Sequence, residues 1–340
     1  MITKLLPCSP EAFEEAGELI RNGQLVGFPT ETVYGLGADA LNAEAVKSIF
    51  AAKGRPQDNP LIVHISEIDQ IYQLIDGPMP KNARLLAENC WPGPLTMIFP
   101  RSKLIPDAVT AGLDTVGIRL PQSEYARAFI TACRRPIAAP SANRSGRPSP
   151  TTAQRVFEDM DGRIPLILDG GDSLFGVEST VLDVSGDVPR ILRPGGVTKE
   201  QIIEITGGCI TDDAVMRPLK EGEKPRSPGM KYRHYAPKAP VTIYEGTKEN
   251  VISAIKSAYD QTEGAVILAP TDCIACYGKR STIDMGLDQS TAAHAVFEAL
   301  RVADDMNATA VFAHAVDYSG MGLAVMNRLG RAAAFHIIKV

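Results

Sequence analysis

Lys53 and Arg55 stand two residues apart where a helical pattern gives way to Gly54, and Asn59 follows in the stretch KGRPQDNPLIVHIS (53–66). Basic residues at a helix C-terminus complement the macrodipole. An arginine there also presents a fork that fits phosphate oxygens, and a lysine a point charge. A second stretch, APSANRSGRPSP (139–150), carries Ser141, Asn143 and Ser149 in a Gly/Pro turn after an apolar run. Hydroxyls, an amide and exposed backbone N–H groups in such a turn can make an anion nest. A third, FPTETVYGLGADA (28–40), bunches Thr30, Glu31, Thr32 and Tyr34 beside Gly35 and Gly37. It reads as a binding loop in which glycine lets the backbone approach a ligand. The chemistry these residues suit is the binding of a small anion. No GxxxxGK[ST] loop and no nucleophile elbow occurs, and the acids near the motifs form no evident acid/base dyad.

The elements that must position these groups follow from capping and periodicity. Ser9-Pro10 opens a capped helix that ends before Gly23, residues 25–28 form a strand, and Asn42 caps a helix that Gly54 stops. Residues 61–65 read as a compact strand containing His64, with Ser66 as the cap of a further helix. Helices over 80–90 and 123–134 alternate with strands at 95–99, 115–120, 136–139, 164–168, 179–184 and 190–193, and a helix over 198–205 closes the region. The mixed order predicts an α/β sheet with several antiparallel pairs. Periodicity disappears between Cys209 and Pro237. It returns as strand 241–244, helix 248–260, strand 265–269, helix 291–306, strand 310–313, helix 321–332 and strand 334–338, a parallel doubly wound pattern without GxGxxG. The expected division is 1–208, a linker at 209–237, and 238–340.

The 340 residues, 44% hydrophobic, suffice for two cores. No apolar run approaches the roughly 18–20 residues of a membrane span, and no signal-peptide pattern opens the chain, so a cytoplasmic protein is expected. Six scattered cysteines suit a reducing compartment; the single Cys273/Cys276 pair reads as structural. A net charge of −5 argues against a polycation that coats nucleic acid, and no stable nucleic-acid binding is expected. Within that acidic body, Lys53, Arg55, Arg119, Arg144, Arg147 and Arg193 gather at Gly/Pro/Ser-rich turns.

Together the three stretches resemble the YrdC-like family, and with the C-terminal third they resemble its long form, the threonylcarbamoyl-AMP synthases. The resemblance implies an N-terminal YrdC-like twisted mixed sheet with helices around a concave pocket, plus a smaller C-terminal parallel Rossmann-like α/β domain. It makes Lys53, Arg55, Ser141 and Asn143 the signature tetrad. It assigns Arg55, Asn59, Thr115, Ser141, Ser149 and Arg193 to ATP, and Thr32, His64, Arg119, the Ala139 backbone and Ser179 to threonine. His64 alone would read as a structural histidine; its place in His64-Ile65-Ser66 matches the family's HxS turn. Arg119, in VGIRLP, suits a carboxylate as a fork. The implied reaction is adenylation of N-carboxythreonine, made from threonine and bicarbonate or CO2, with ATP as the donor and pyrophosphate leaving. Magnesium would ride on the triphosphate, its protein ligands unassigned, and the product would pass to a tRNA threonylcarbamoyl transferase.

Two other readings compete. An RNA-binding or regulatory YrdC-like protein is disfavoured by the acidic balance and by the lack of aromatics interleaved with basic residues. Carbamoyl transfer in hydrogenase maturation uses zinc-finger-like and acylphosphatase-like modules that this chain does not show. The segment SPGMKYRHYAP (227–237) packs Met230, Lys231, Tyr232, Arg233, His234 and Tyr235 between prolines, unlike an inert spacer. It is expected to fold over the pocket as a lid that excludes water, with His234 or Tyr235 near the nucleotide; the competing reading is that these residues only staple the two domains together.

Overall fold

A computed structural model describes residues 1–217 and 235–340. The expected lid therefore lies outside the described residues apart from its last three positions, and His234 lies outside them altogether.

Eleven strands form one mixed sheet in the order Lys4–Pro7, Leu166–Asp169, Val26–Phe28, Gly35–Asp39, Ile137–Ala139, Ile62–His64, Thr115–Arg119, Leu95–Pro100, Thr180–Asp183, Arg190–Arg193, Ile210–Thr211. Its middle is where the motifs meet. Ile62–His64 runs antiparallel to Ile137–Ala139 and parallel to Thr115–Arg119, in a register that sets His64 beside Arg119 and Ile62 beside Ala139. Both of its neighbours are required for this: an edge strand would leave one flank open to solvent. The helix Ala43–Lys53 starts at Asn42, whose side chain accepts the Glu44 and Ala45 N–H groups, and ends at Gly54 in the left-handed region (φ 63°), which delivers Lys53 on the last turn.

Residues 241–339 build a second sheet, all parallel, ordered Thr282–Asp284, Ala265–Ala269, Ala310–His314, Val241–Glu245, Ile337–Lys339. Its helices Gln289–Asp305 and Gly322–Ala332 turn buried arginines toward the first sheet. Arg301 donates to the Pro148 carbonyl and to Asp159, and Arg328 to Glu178. Asn327 and Arg331 reach the Val215 and Ala214 carbonyls. Val33 and Val177 belong to the same apolar cluster as Phe297 and Leu300. Gly176 (φ 72°) lies so close to His294 that a Cβ there would sit 2.4 Å from its Cα.

Several local expectations are corrected. Residues 35–39 of the expected loop are a strand, and a Cβ on Gly35 would fall 2.7 Å from the Phe28 ring. Ser66 caps no helix; its N–H donates to Gln70 Oε1, and only a 3-10 turn Ile68–Gln70 and the short helix Ile71–Leu74 follow. The strands Lys4–Pro7 and Thr282–Asp284 and the helix Ala153–Met160 were not expected. The strands are four and three residues long, too short to show a period. The last strand is Ile337–Lys339, starting three residues after the expected 334.

Candidate functional site

One concave cavity collects the sequence motifs. Eleven of the fifteen residues singled out line it: Thr32, Lys53, Arg55, His64, Arg119, Ala139, Ser141, Asn143, Ser179, Arg193 and Tyr235. Asn59, Ser149 and Thr115 do not; the first two are fully buried behind the wall, and Thr115 is exposed. The enclosed space is only about 60 Å³. Ligand pockets usually measure some 300–1,000 Å³, so a nucleotide enters only if part of the wall moves.

At one end Lys53 Nζ donates to the Ser141 and Asn143 carbonyls, 2.5 Å each, and the Ser141 hydroxyl donates to Asn143 Oδ1 at 2.5 Å. Asn143 Nδ2 closes the turn on the Arg144 and Arg147 carbonyls. Burial, with Arg55 beside it, holds the Lys53 ammonium pKa well below its ordinary value. The turn is thus stapled to the helix end by the lysine. The Asn59 amide, fully buried, has neither of its polar atoms paired, and a buried amide without partners costs free energy that a ligand can recover.

At the other end Arg119 is held on three sides. Nη2 donates to Glu31 Oε1 at 2.6 Å, Nη1 to Thr32 Oγ1 at 2.9 Å and Nε to the Gly93 carbonyl at 3.3 Å. Burial alone would raise the Glu31 pKa, but the guanidinium and the hydrogen bonds outweigh it and hold the carboxyl below its usual range. Three of the five guanidinium donors are thus committed, and one on each terminal nitrogen remains for a ligand. Glu31 was noted in the sequence only as part of a polar cluster; its role in fixing Arg119 needed the fold.

Arg193 donates through Nε and Nη2 to the Ser179 carbonyl, and Ser179 Oγ lies 2.8 Å from Thr96 Oγ1. The RPGG glycine that follows makes this contact possible. A Cβ on Gly195 would meet the Glu178 carbonyl at 2.2 Å. Tyr235 (φ 63°) is buried, stacks on Phe297 with ring centroids 5.0 Å apart and lies under the Arg328 guanidinium. Glu178 also lines the cavity and was missed; it carries no motif of its own in GVEST.

His64 is buried against the Phe28 ring, and its Nδ1 has no partner. Burial first, and Arg119 next, push its pKa down to about 3; burial takes His314, bonded to Tyr277, down to about 4. Both rings are neutral in the fold. As pH falls below the ordinary histidine value near 6.5, the unfolded chain takes up protons that the native one refuses, so stability falls toward acid. The expected slope is at most about 1.4 kcal/mol per pH unit for each ring. Urea unfolding at pH 7.5, 6 and 5 measures it, and His314→Gln should remove its share; a flat profile would contradict neutral burial.

Among the described residues no group of three or more His, Cys, Asp or Glu could hold a metal ion, and no helix is long and apolar enough to cross a membrane.

Comparison with known proteins gives concordant matches. A family model described as telomere recombination matches residues 18–195, and one described as threonylcarbamoyl-AMP synthase, C-terminal domain, matches 197–334. The chain is similar to the threonylcarbamoyl-AMP synthase of Bacillus subtilis (44% identity, 99% of this chain and 97% of the relative). It is equally similar to that of Pyrococcus abyssi (45%, 96% and 95%). A crystal structure of P. abyssi Sua5 complexed with L-threonine superposes with a TM-score of 0.92 at 43% identity, covering 100% of this chain and 99% of the other.

Proposed function

The chain belongs to the long-form threonylcarbamoyl-AMP synthase family, and from that premise we infer that it makes L-threonylcarbamoyl-AMP from L-threonine, bicarbonate or CO2, and ATP. The observation that carries this reading is the single cavity that unites Lys53, Arg55, Ser141 and Asn143 at one end with Thr32, His64, Arg119 and Ser179 at the other. A cationic turn suits a polyphosphate. A guanidinium with one free donor on each terminal nitrogen suits a carboxylate. On this reading threonine lies at the Arg119 end, where the two free donors fit its carboxylate; P. abyssi Sua5, to which the chain is similar, has been crystallised with L-threonine.

The bond changes are few. The neutral threonine amine adds to the carbon of CO2 and gives up a proton to solvent, forming the carbamate N-carboxythreonine; a carbamate oxygen then attacks the α-phosphorus of ATP, and the bond from that phosphorus to the pyrophosphate oxygen breaks. The protein's part is to position two acidic substrates and neutralise charge, the dominant work in phosphoryl-type transfer. Asn59, Thr115 and Ser149 stand outside the cavity wall, so contacts from them to ATP require the wall to open. Magnesium accompanies the triphosphate and takes most of its ligands from phosphate and water. The adenylate is the activated donor for the threonylcarbamoyl modification of tRNA, by way of a cytoplasmic transferase.

The test is pyrophosphate release in the presence of ATP, magnesium, threonine and bicarbonate. Release should require both threonine and bicarbonate. Release indifferent to threonine would end the substrate assignment.

A further inference from the structure

Glu178 is the one carboxylate among the described residues that line the cavity. Its Oε1 accepts the Ser149 hydroxyl at 2.6 Å, and its Oε2 accepts Arg328 Nε at 2.7 Å from the helix Gly322–Ala332 of the second sheet. Ser149 and Arg328 are fully buried, so neither bond is shared with solvent. A buried carboxyl resists ionising, but Arg328, Arg193 and the Ser149 hydroxyl more than offset this and bring its pKa down to about 2. Glu178 is therefore a fixed anion, with about four lone-pair sites, of which the described residues occupy two.

What meets the remaining sites must donate. Phosphate oxygens accept only, which excludes the triphosphate. Two guanidiniums, Arg328 and Arg193, act on this single carboxylate, so the local charge is positive on balance and disfavours a divalent cation or an ammonium. A neutral hydroxyl remains. ATP offers ribose hydroxyls and threonine offers its own. On the threonine side Ser179 is already engaged with Thr96 and Arg193. Of the groups around Glu178, Ser149 and Arg193 are placed on ATP by the family resemblance, and Tyr235 is expected near the nucleotide as part of the segment that follows the pocket.

We propose that Glu178 is a nucleotide-recognition residue whose carboxylate accepts a hydrogen bond from a ribose hydroxyl of ATP, held in place by Ser149 and by Arg328. This rests on the ATP-dependent reading above. It gives the second sheet a defined part in the site: it supplies the guanidinium that keeps the recognising carboxylate ionised and oriented.

The test is equilibrium binding to the full chain, by calorimetry, without bicarbonate. ATP is compared with 2′-deoxyATP and 3′-deoxyATP, and threonine with 2-aminobutyrate. One deoxy nucleotide should bind roughly 10-fold or more weakly than ATP, as for a lost hydrogen bond to a charged group. That gap should shrink to less than about 3-fold in Glu178→Gln, and narrow in Ser149→Ala, which loosens one oxygen. The gap is a ratio within one variant, so it does not depend on the folded fraction, and Ser149→Ala decides if Glu178→Gln does not fold. Three results would overturn the proposal: equal binding of ATP and both deoxy nucleotides, a gap unchanged in the variants, or loss of threonine-over-2-aminobutyrate preference in place of the nucleotide gap. Failure of the ATP reading itself looks different, because ATP would then not bind at all.

Discussion

Arg119→Ala should abolish threonine-dependent pyrophosphate release and also lower stability by about 3–5 kcal/mol, the usual cost of stripping a buried charge of its partner. Glu31 and Arg119 are each 4% exposed at their side chains and bonded at 2.6 Å. Removing the guanidinium leaves Glu31 ionised in a dry wall, with backbone N–H groups such as that of Ser123, 3.3 Å away, to hold it. The two effects can be separated. In Arg119→Met with Glu31→Gln no charge is stranded, and most of the stability should return because a buried pair is often replaced at little cost by neutral groups of similar volume. Threonine binding should not return, since the fork that faces the carboxylate is gone. Urea unfolding reads the first quantity and calorimetry the second. Unchanged threonine affinity in Arg119→Ala would show that the carboxylate is held elsewhere.

Much of this site was legible in the sequence because the relevant signals are local. Asn42 and Gly54 bracket a helix by capping chemistry, so Lys53 at its last turn follows from residue types alone. The strand run that ends in His64 and the one that ends in Arg119 are apolar and centrally placed, and central parallel strands read as continuous hydrophobic runs. What was not legible depends on pairing across long separations. Glu31 meets Arg119, and Glu178 meets Arg328, which stands 150 residues away. A glutamate in GVEST or TETVY carries no mark of a distant arginine. Gly35 serves two ends that its residue type does not separate: the missing side chain leaves room for the Phe28 ring, and its backbone lines the cavity. Arg301 and Arg328 were unremarkable in helical patterns, though both are almost wholly buried at the junction of the two sheets.

That junction sets the largest expected difference between deleting a region and altering one residue of it. A chain ending at Gly208 should stay folded: apart from Cys209, its two main apolar clusters are drawn from residues before that point. Asp159 and Glu178 lose Arg301 and Arg328, but both then face water, which rehydrates them, so little charge is left stranded. Arg328→Met in the full chain differs in this respect, because the second sheet still covers Glu178 and the carboxylate is left buried with Ser149 alone bonded to it. The point variant should therefore lose about 3–5 kcal/mol, while the shortened chain carries no comparable local penalty. Activity should order differently. The shortened chain lacks Tyr235 in the wall and Arg328 behind Glu178, and should release pyrophosphate at least about 100-fold more slowly, the scale of one or two lost charge-assisted hydrogen bonds. Urea titrations and pyrophosphate assays on the same preparations decide both points. Full activity in the shortened chain would place the second sheet outside the site, and an Arg328→Met protein as stable as the parent would mean that Glu178 finds another partner when the guanidinium is gone.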